Sequence, residues 1–426
     1  MALLLLLILF IAGAVYWISL SEPMARNMPA VAHVIRRVVL VRPQEKLVWT
    51  EEDREIQRGL QDMLADGEAP QRLVVDRNRV LEGRVVEERP DAIVFASQIG
   101  DSGEVSMAIS RKRIVRLEDR EVQLPDVTLR DVRFYREFPD KKFYKRPPYT
   151  IMTDESYFAV DRIVKQQQEL YARFVEFFGP LVEGSRRNDI QLLVFSDPDE
   201  FELCRLEARE VEKGSGGFYN IRQDRLTVLN QRDADWVKAG RQDIAGVVEE
   251  NRGRAQTDGA RQRLVQWEDD ARDHLRAQAA AVTRNILLHE GAHQLSYTLG
   301  VQNKLEDDRG WVSEGLATWF ETKRPGGVNE LRRAELKSAL ESGELLSLHQ
   351  LLSIPRCRTG LHYAQAWSLT GLLMQPEYRP GFFAYLTQIR NQQESSFYSP
   401  EEELCYFLGL TPLELQRRWL AFINTQ

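Results

Sequence analysis

The chain has 426 residues, 43% of them hydrophobic and 28% charged, with a formal net charge of -7. It is too apolar to be disordered and too long for one minimal core, so two or more folded units are expected. Acids and bases are mixed almost everywhere, which argues against a basic face for nucleic acid. Cys204, Cys357 and Cys405 sit far apart with no CxxC spacing, which argues against a disulfide scaffold or a thiolate zinc site.

The first segment, "MALLLLLILFIAGAVYWISL", carries no charge from Ala2 to Leu20 and is long enough, as a helix, to cross most of a hydrocarbon core. It reads as a single-pass membrane anchor. The alternative is a cleaved export signal, since Ala12, Gly13 and Ala14 have the small-residue form of a cleavage site, but the usual basic start is missing. Arg26, Arg36, Arg37 and Arg42 would by the positive-inside tendency keep the following domain cytoplasmic. Large domains override that tendency, and the extracytoplasmic side is favoured.

Residues 21–70 read as a helical connector, with one amphipathic helix in "WTEEDREIQRGLQDMLADGEAP", Thr50 as its cap and Gly67 near its end. Five alternating runs follow over residues 71–118, "RLVVD", "VLEGRVVEE", "DAIVFAS", "EVSMAIS" and "RIVRLE", separated by turn-rich breaks. They predict a small all-β barrel similar to SH3-like or Sm-like modules. Arg111, Lys112 and Arg113 form a basic patch on it, read as a solvated strand end because acids lie nearby. Residues 119–148 read as a linker, since Pro139, Pro147 and Pro148 argue against regular structure.

From residue 149 strands alternate with helices. "YTIMTD" is followed by a helix with Val160, Ile163, Val164, Leu170, Phe174 and Phe177 at helical spacing. "DIQLLVFSDPDEF" is a buried strand entering another helix, and "GGFYNIRQDRLTVLNQ" is a hairpin. Residues 233–280 are rich in Arg, Asp, Glu, Gln and Ala and read as a charged helical insertion. The remainder is mostly helical, with breaks near Pro355, Pro380 and Pro400. The expected class is α+β.

The chemistry concentrates in "NILLHEGAHQLSYTLG", residues 285–300. His289 and His293 are four apart, so on a helix both imidazoles face one way and reach one ion. Zn2+ suits them, because it accepts neutral imidazole and tolerates three protein ligands with one open position. Glu290 stands one step round the helix, where a base can take a proton from metal-activated water. Gly291 and Ala292 leave room for a neighbouring element, and Gly300 ends the helix. Chance is a poor explanation, since the chain holds only 6 histidines. A third ligand comes from "GWVSEGLATWFETKRP", where Glu314 lies early in a second helical pattern. Thr318 and Glu321 on the same face are candidates to hydrogen-bond a ligating histidine.

"HEGAHQL" followed by "WVSEGLATWFE" resembles the gluzincin metallopeptidases, and within them the bacterial peptidase-MA-like group. The resemblance extends through "VFSDPDEF", "GGFYN", "LHYAQAWSLTGLL" and "FLGLTPLELQRRWLAFI", roughly Tyr149 to Phe422. It implies a zincin-like catalytic domain over residues 149–426, with a mixed sheet, a metal-binding helix and a C-terminal helical subdomain. It also implies that Tyr363, or else His362, steadies the oxyanion, and that the substrate lies along a sheet edge, for which "RLTVLNQ" is the candidate. The expected function is a zinc metallopeptidase with a protein or peptide substrate. The alternatives are a catalytically inactive binding or scaffold protein and a zinc hydrolase of non-peptide amides such as cell-wall material.

Overall fold

The computed structural model describes residues 49–67, 71–76, 79–98, 104–119, 124–182, 187–208, 216–303, 309–322, 324–391 and 399–425. Residues 2–20, read as an anchor or signal, lie outside them. Among the described residues no helix is long and apolar enough to cross a membrane. The architecture is mixed α+β, with two five-stranded sheets and many helices.

Helix α1 (Glu51–Gly67) starts at Thr50, whose side chain accepts the Asp53 N–H while Asp53 Oδ2 accepts the Thr50 N–H at 2.8 Å. This reciprocal pair satisfies donors that every helix start leaves open. The helix is more than a connector: Leu60 and Leu64 are buried in one cluster with Phe143, Met152, Leu193 and Phe195.

The first sheet comprises β1 (Gln71–Val75), β2 (Arg79–Glu88), β3 (Ala92–Gln98), β4 (Glu104–Ser110) and β5 (Ile114–Asp119) in the order β4-β3-β2-β1-β5. Every pairing is antiparallel. Leu73, Val75, Ile93, Phe95 and Ile109 fill its core. Arg111 and Arg113 are occupied by Glu88 at 2.7 Å and Asp76 at 3.0 Å, acids of the same module.

The expected linker is ordered where the structure describes it, which corrects the reading of its prolines. It contains α2 (Leu129–Glu137) and β6 (Lys142–Arg146); Pro139 occupies the turn between them, and Pro147 and Pro148 the turn that follows β6. Asp131 organises the segment. Its carboxylate accepts from Thr128 in a capping box, from Thr150 at 2.6 Å, and from buried Lys145.

The second sheet adds β7 (Tyr149–Thr153), β8 (Ile190–Phe195), β9 (Gly217–Asn220) and β10 (Arg225–Leu229), in the order β6-β7-β8-β10-β9. The β7–β8 and β8–β10 pairs are parallel, and the outer pairs are antiparallel. Strands β7, β8 and β10 are buried at every residue, as interior strands of a covered sheet should be. "RLTVLNQ" was expected at the edge, but β10 has β8 on one side and β9 on the other, so β9 is the edge.

Helix α3 (Tyr157–Val182), kinked at Phe178 just before Pro180, packs with the long metal-site helix on this sheet. Leu170 and Phe174 share a core with Leu226, Val228, Leu287, Leu288 and Ala292. After α4 (Pro198–Glu207), the charged insertion forms α5 (Asp235–Arg252) and the first half of α6 (Asp258–Thr298). The metal-site sequence is therefore the second half of a 41-residue helix, about 60 Å long at the helical rise. Its buried residues begin only at Ala279.

The C-terminal layer holds α7 (Gly310–Phe320), α8 (Glu330–Ser342), α9 (Leu348–Leu352), α10 (Gly360–Leu373), α11 (Arg379–Arg390), α12 (Pro400–Leu408) and α13 (Pro412–Ile423). Its interior includes Trp311, Phe320, Trp367, Phe382, Tyr385 and Trp419.

Candidate metal centre

Helix α6 delivers His289 and His293 from one face, and three glycines in and around it make the delivery possible. At Gly291 a β-carbon would stand 2.6 Å from Gln167 Oε1 and 2.8 Å from Leu170 Cδ2, so the glycine lets α3 lie against the metal helix. Gly217 does the same for β9, where a β-carbon would stand 2.5 Å from Ile286 Cγ2. At the far end Gly300 adopts a left-handed φ of 75°. The amides of Val301 and Gln302 there return to Ser296 O at 2.8 and 3.0 Å, closing the helix.

The chain then comes back as α7 with Glu314. Next to it, a side chain at Gly315 would overlap Thr370 Oγ1 and stand 2.9 Å from Ala366 O, so α7 crosses α10 in backbone contact. Three polar atoms converge: His289 Nε2 and Glu314 Oε2 are 3.2 Å apart, His293 Nε2 and Glu314 Oε2 3.3 Å, and the two Nε2 atoms 3.2 Å. These three residues could hold a metal ion. Three corners of a tetrahedron with bonds of about 2.0–2.1 Å stand about 3.3–3.4 Å apart, so the donor set fits a zinc-sized ion with one corner left over.

Both imidazoles have their other nitrogen fixed. His289 Nδ1 lies 2.8 Å from Glu321 Oε1, and His293 Nδ1 lies 3.1 Å from Ser313 Oγ, which is 3.3 Å from the Tyr297 hydroxyl. The Glu321 carboxylate, which can only accept, selects the His289 tautomer that leaves Nε2 free for an ion, and the Ser313 hydroxyl can accept from His293 Nδ1 to the same effect. Glu321 is itself held by Asn329 Nδ2 at 2.6 Å and Arg332 Nη2 at 3.3 Å.

The electrostatics ask for positive charge. Burial pulls the His289 pKa down, but the carboxylates of Glu314 and Glu321 more than reverse this and leave it well above its ordinary value. Burial likewise pushes Glu314 up, and His293 and His289 outweigh it, so its carboxylate stays ionised well below the usual range. A cation shared by these ligands would do for all three what the proton on His289 does in its absence.

Glu290 is half-buried, and the desolvation of its carboxyl raises its pKa. Its Oε2 accepts the backbone N–H of Tyr219 at 3.1 Å. Leu229 N–H donates to Gly216 O, so in the β9–β10 ladder the amides of Gly217 and Tyr219 point to the free edge, where Glu290 stands. The Tyr219 hydroxyl donates to Asp224 Oδ1 at 2.7 Å, and Thr298 Oγ1 does so at the same distance. The Tyr219 ring stacks on Tyr297. Edge strand and metal helix are thus pinned together at both ends of this contact.

Tyr363 of α10 has its ring centroid 6.1 Å from that of His289. His362 instead accepts the Arg358 N–H on Nδ1 at 3.2 Å, within its own helix start. Of the two candidates for orienting a histidine, Glu321 does so. Thr318 donates to the carbonyls of Glu314 and Gly315, because a buried helical threonine is nearest its own preceding turn.

Residues 283–394 match the family described as "Protein of unknown function (DUF1570)". The match is a minority of the chain. It contains every side chain that approaches the metal centre from α6, α7, α8 and α10, while Tyr219 of β9 lies outside it. No curated protein matches the chain.

Ser313, Tyr219, Asn329 and Arg332 were absent from the expected site. Ser313 stood in plain view beside Glu314, but a residue one step along a helix points about 100° away, and only the tertiary placement of α6 brings His293 to it. The Tyr219 contribution is a main-chain amide, which no residue type announces.

Proposed function

We propose that the chain is a zinc-dependent metallopeptidase of the gluzincin type, resembling the bacterial peptidase-MA-like group, with a zincin-like domain as its catalytic unit. The observation that carries this is the triangle of His289, His293 and Glu314 donor atoms, 3.2–3.3 Å on each side, with the Glu290 carboxylate beside it. His289, His293 and Glu314 would hold zinc there, and the ion would supply Lewis acidity toward water and a carbonyl oxygen.

The protein's own groups then have separable tasks. Glu290, with its pKa raised by burial, accepts the proton of the attacking water and hands it to the departing amide nitrogen. The amide of Tyr219 holds one of its oxygens, leaving the other for the proton. Tyr363 offers its hydroxyl to the oxygen on which charge develops, a contact that counts only in the transition state. An extended peptide adds along the outer edge of β9, where the Tyr219 amide is taken by Glu290 and the Gly217 amide points the same way. The segment at residues 2–20 tethers this domain to a membrane or exports it.

The test is metal analysis of the full chain combined with Glu290→Gln. One zinc per chain, cleavage of a broad peptide library, and loss of cleavage with zinc retained in the variant are the expected results. A protein that takes up no zinc with both histidines intact refutes the metal centre. Zinc binding without any Glu290-dependent cleavage of peptides moves the reading to a binding protein or a hydrolase of other amides.

A further inference from the structure

Arg332, at the start of α8, touches both halves of the proposed machinery, and its geometry is unlike that of a casual ion pair. Its Nη2 lies 3.3 Å from Glu321 Oε1, the oxygen that also takes His289 Nδ1. Its Nη1 lies 3.3 Å from Glu335 Oε2. Its guanidinium carbon sits over the Tyr363 ring, 5.1 Å from the centroid. The side chain is 14% exposed, and Nε is buried with no hydrogen-bond partner among the described residues.

An arginine placed for charge alone would present Nε and Nη2 together to one carboxylate as a fork. Arg332 gives that up, dividing its two Nη atoms between two carboxylates while its guanidinium carbon stays over Tyr363. The helix start supports the placement. Asn329 caps α8 by accepting the Arg332 N–H, and its side-chain amide donates to the second oxygen of Glu321.

Resting on the peptidase reading, we infer that Arg332 is a positioning residue that couples the Tyr363 ring to the metal ligand His289 through Glu321. It holds the phenol by cation–π contact and holds Glu321 as the carboxylate that orients His289. Lysine cannot replace it fully, because a point charge satisfies Glu321 but has no planar face for the ring.

The experiment uses the full chain as Arg332→Gln and Arg332→Lys, with circular dichroism to confirm folding and three readouts. In protein labelled with 3-fluorotyrosine, the Tyr363 signal, assigned by its loss in Tyr363→Phe, shifts and broadens in both variants. Zinc affinity, by competition with a chromogenic chelator, falls in Arg332→Gln by less than the roughly 10- to 100-fold expected for a direct partner of a ligand, and Arg332→Lys recovers it. The kcat of Arg332→Gln falls on the order of 10- to 100-fold with KM little changed. In a Tyr363→Phe background the same change costs no further kcat, whereas a merely structural role would give additive losses. An unmoved Tyr363 signal together with unchanged zinc affinity overturns the inference, and so does additivity in the double variant. If wild-type protein binds zinc and cuts nothing, the peptidase reading falls while the fluorine and zinc measurements still decide the coupling.

Discussion

On the proposed peptidase reading, replacing Gly217 with alanine tests how Glu290 is held. The new β-carbon would lie 2.5 Å from Ile286 Cγ2, 3.1 Å from Thr227 O and 3.2 Å from Val228 Cγ2. Carbon atoms rest about 3.5–4.0 Å apart, so the overlap with Ile286 is on the order of 1 Å. Thr227 O is backbone of β10 and cannot yield, so β9 must move away from α6. Overpacking of this kind costs about 1–3 kcal/mol of stability. Two residues along, the Tyr219 N–H to Glu290 Oε2 distance is 3.1 Å, and an added displacement of about 1 Å takes it out of hydrogen-bonding range. A bond to a charged acceptor is worth about 1.5–3 kcal/mol, which, if all of it served to place the base, is roughly a 10- to 100-fold loss of turnover. The assay is kcat on a cleaved peptide beside zinc content and thermal unfolding. Zinc content stays at the wild-type value, because none of the ligands is on β9, while stability and kcat fall. Full turnover in a destabilised variant would refute the role given to the Tyr219 amide. Loss of zinc would show that β9 supports the ligands and not the base.

Glu321→Gln keeps the shape but removes the carboxylate from His289 Nδ1, so zinc affinity drops about 10- to 100-fold in a chelator competition. Ser313→Ala frees His293 Nδ1 and weakens zinc binding in the same direction, and isothermal titration of both variants checks the pair. Zinc affinity also depends on pH. The metal-free protein holds the His289 proton more tightly than an ordinary histidine, so apparent affinity declines with falling pH from an onset above about 6.5, as titrations at several pH values would show. The same shift makes a stability statement for the metal-free chain. The contribution of protonated His289 is complete below about pH 6.5 and is lost as pH rises through its raised folded value, a decline visible in melts with chelator present.

The candidate metal centre was the most legible part of the sequence because its signal is local. The four-residue interval between His289 and His293 becomes a shared face on any helix, and Gly300 marks its own turn by the left-handed backbone it adopts. Glu314 needed a second helix to be guessed, yet a place in the first half of that helix after a short return is a simple constraint. What escaped was set by partners distant in the chain. Strand β10 and the hairpin arm β9 look alike in hydrophobicity, and only the pairing with β8 decides which one is the edge. The prolines at 139, 147 and 148 suggested irregular chain, yet they bound ordered elements because the buried Asp131, Lys145 and Thr150 tie the intervening segment to the sheet. Tyr363 and His362 are consecutive on one helix, and sequence could not say which of them turns toward His289.

Helix α6 contains no proline between Asp258 and Thr298, and its solvent-exposed half runs without a break into the half that carries the ligands. The exposed arm and the histidine pair of the candidate metal centre are therefore a single mechanical part. A twist applied at Trp267, 42% exposed on the arm, is a twist of His289 and His293 about the same axis, in fixed phase, with no hinge between them to absorb it. The packing of α3 against Gly291 and of β9 against Ile286 serves as the bearing in which that shaft is held, so whatever grips the arm also grips the site.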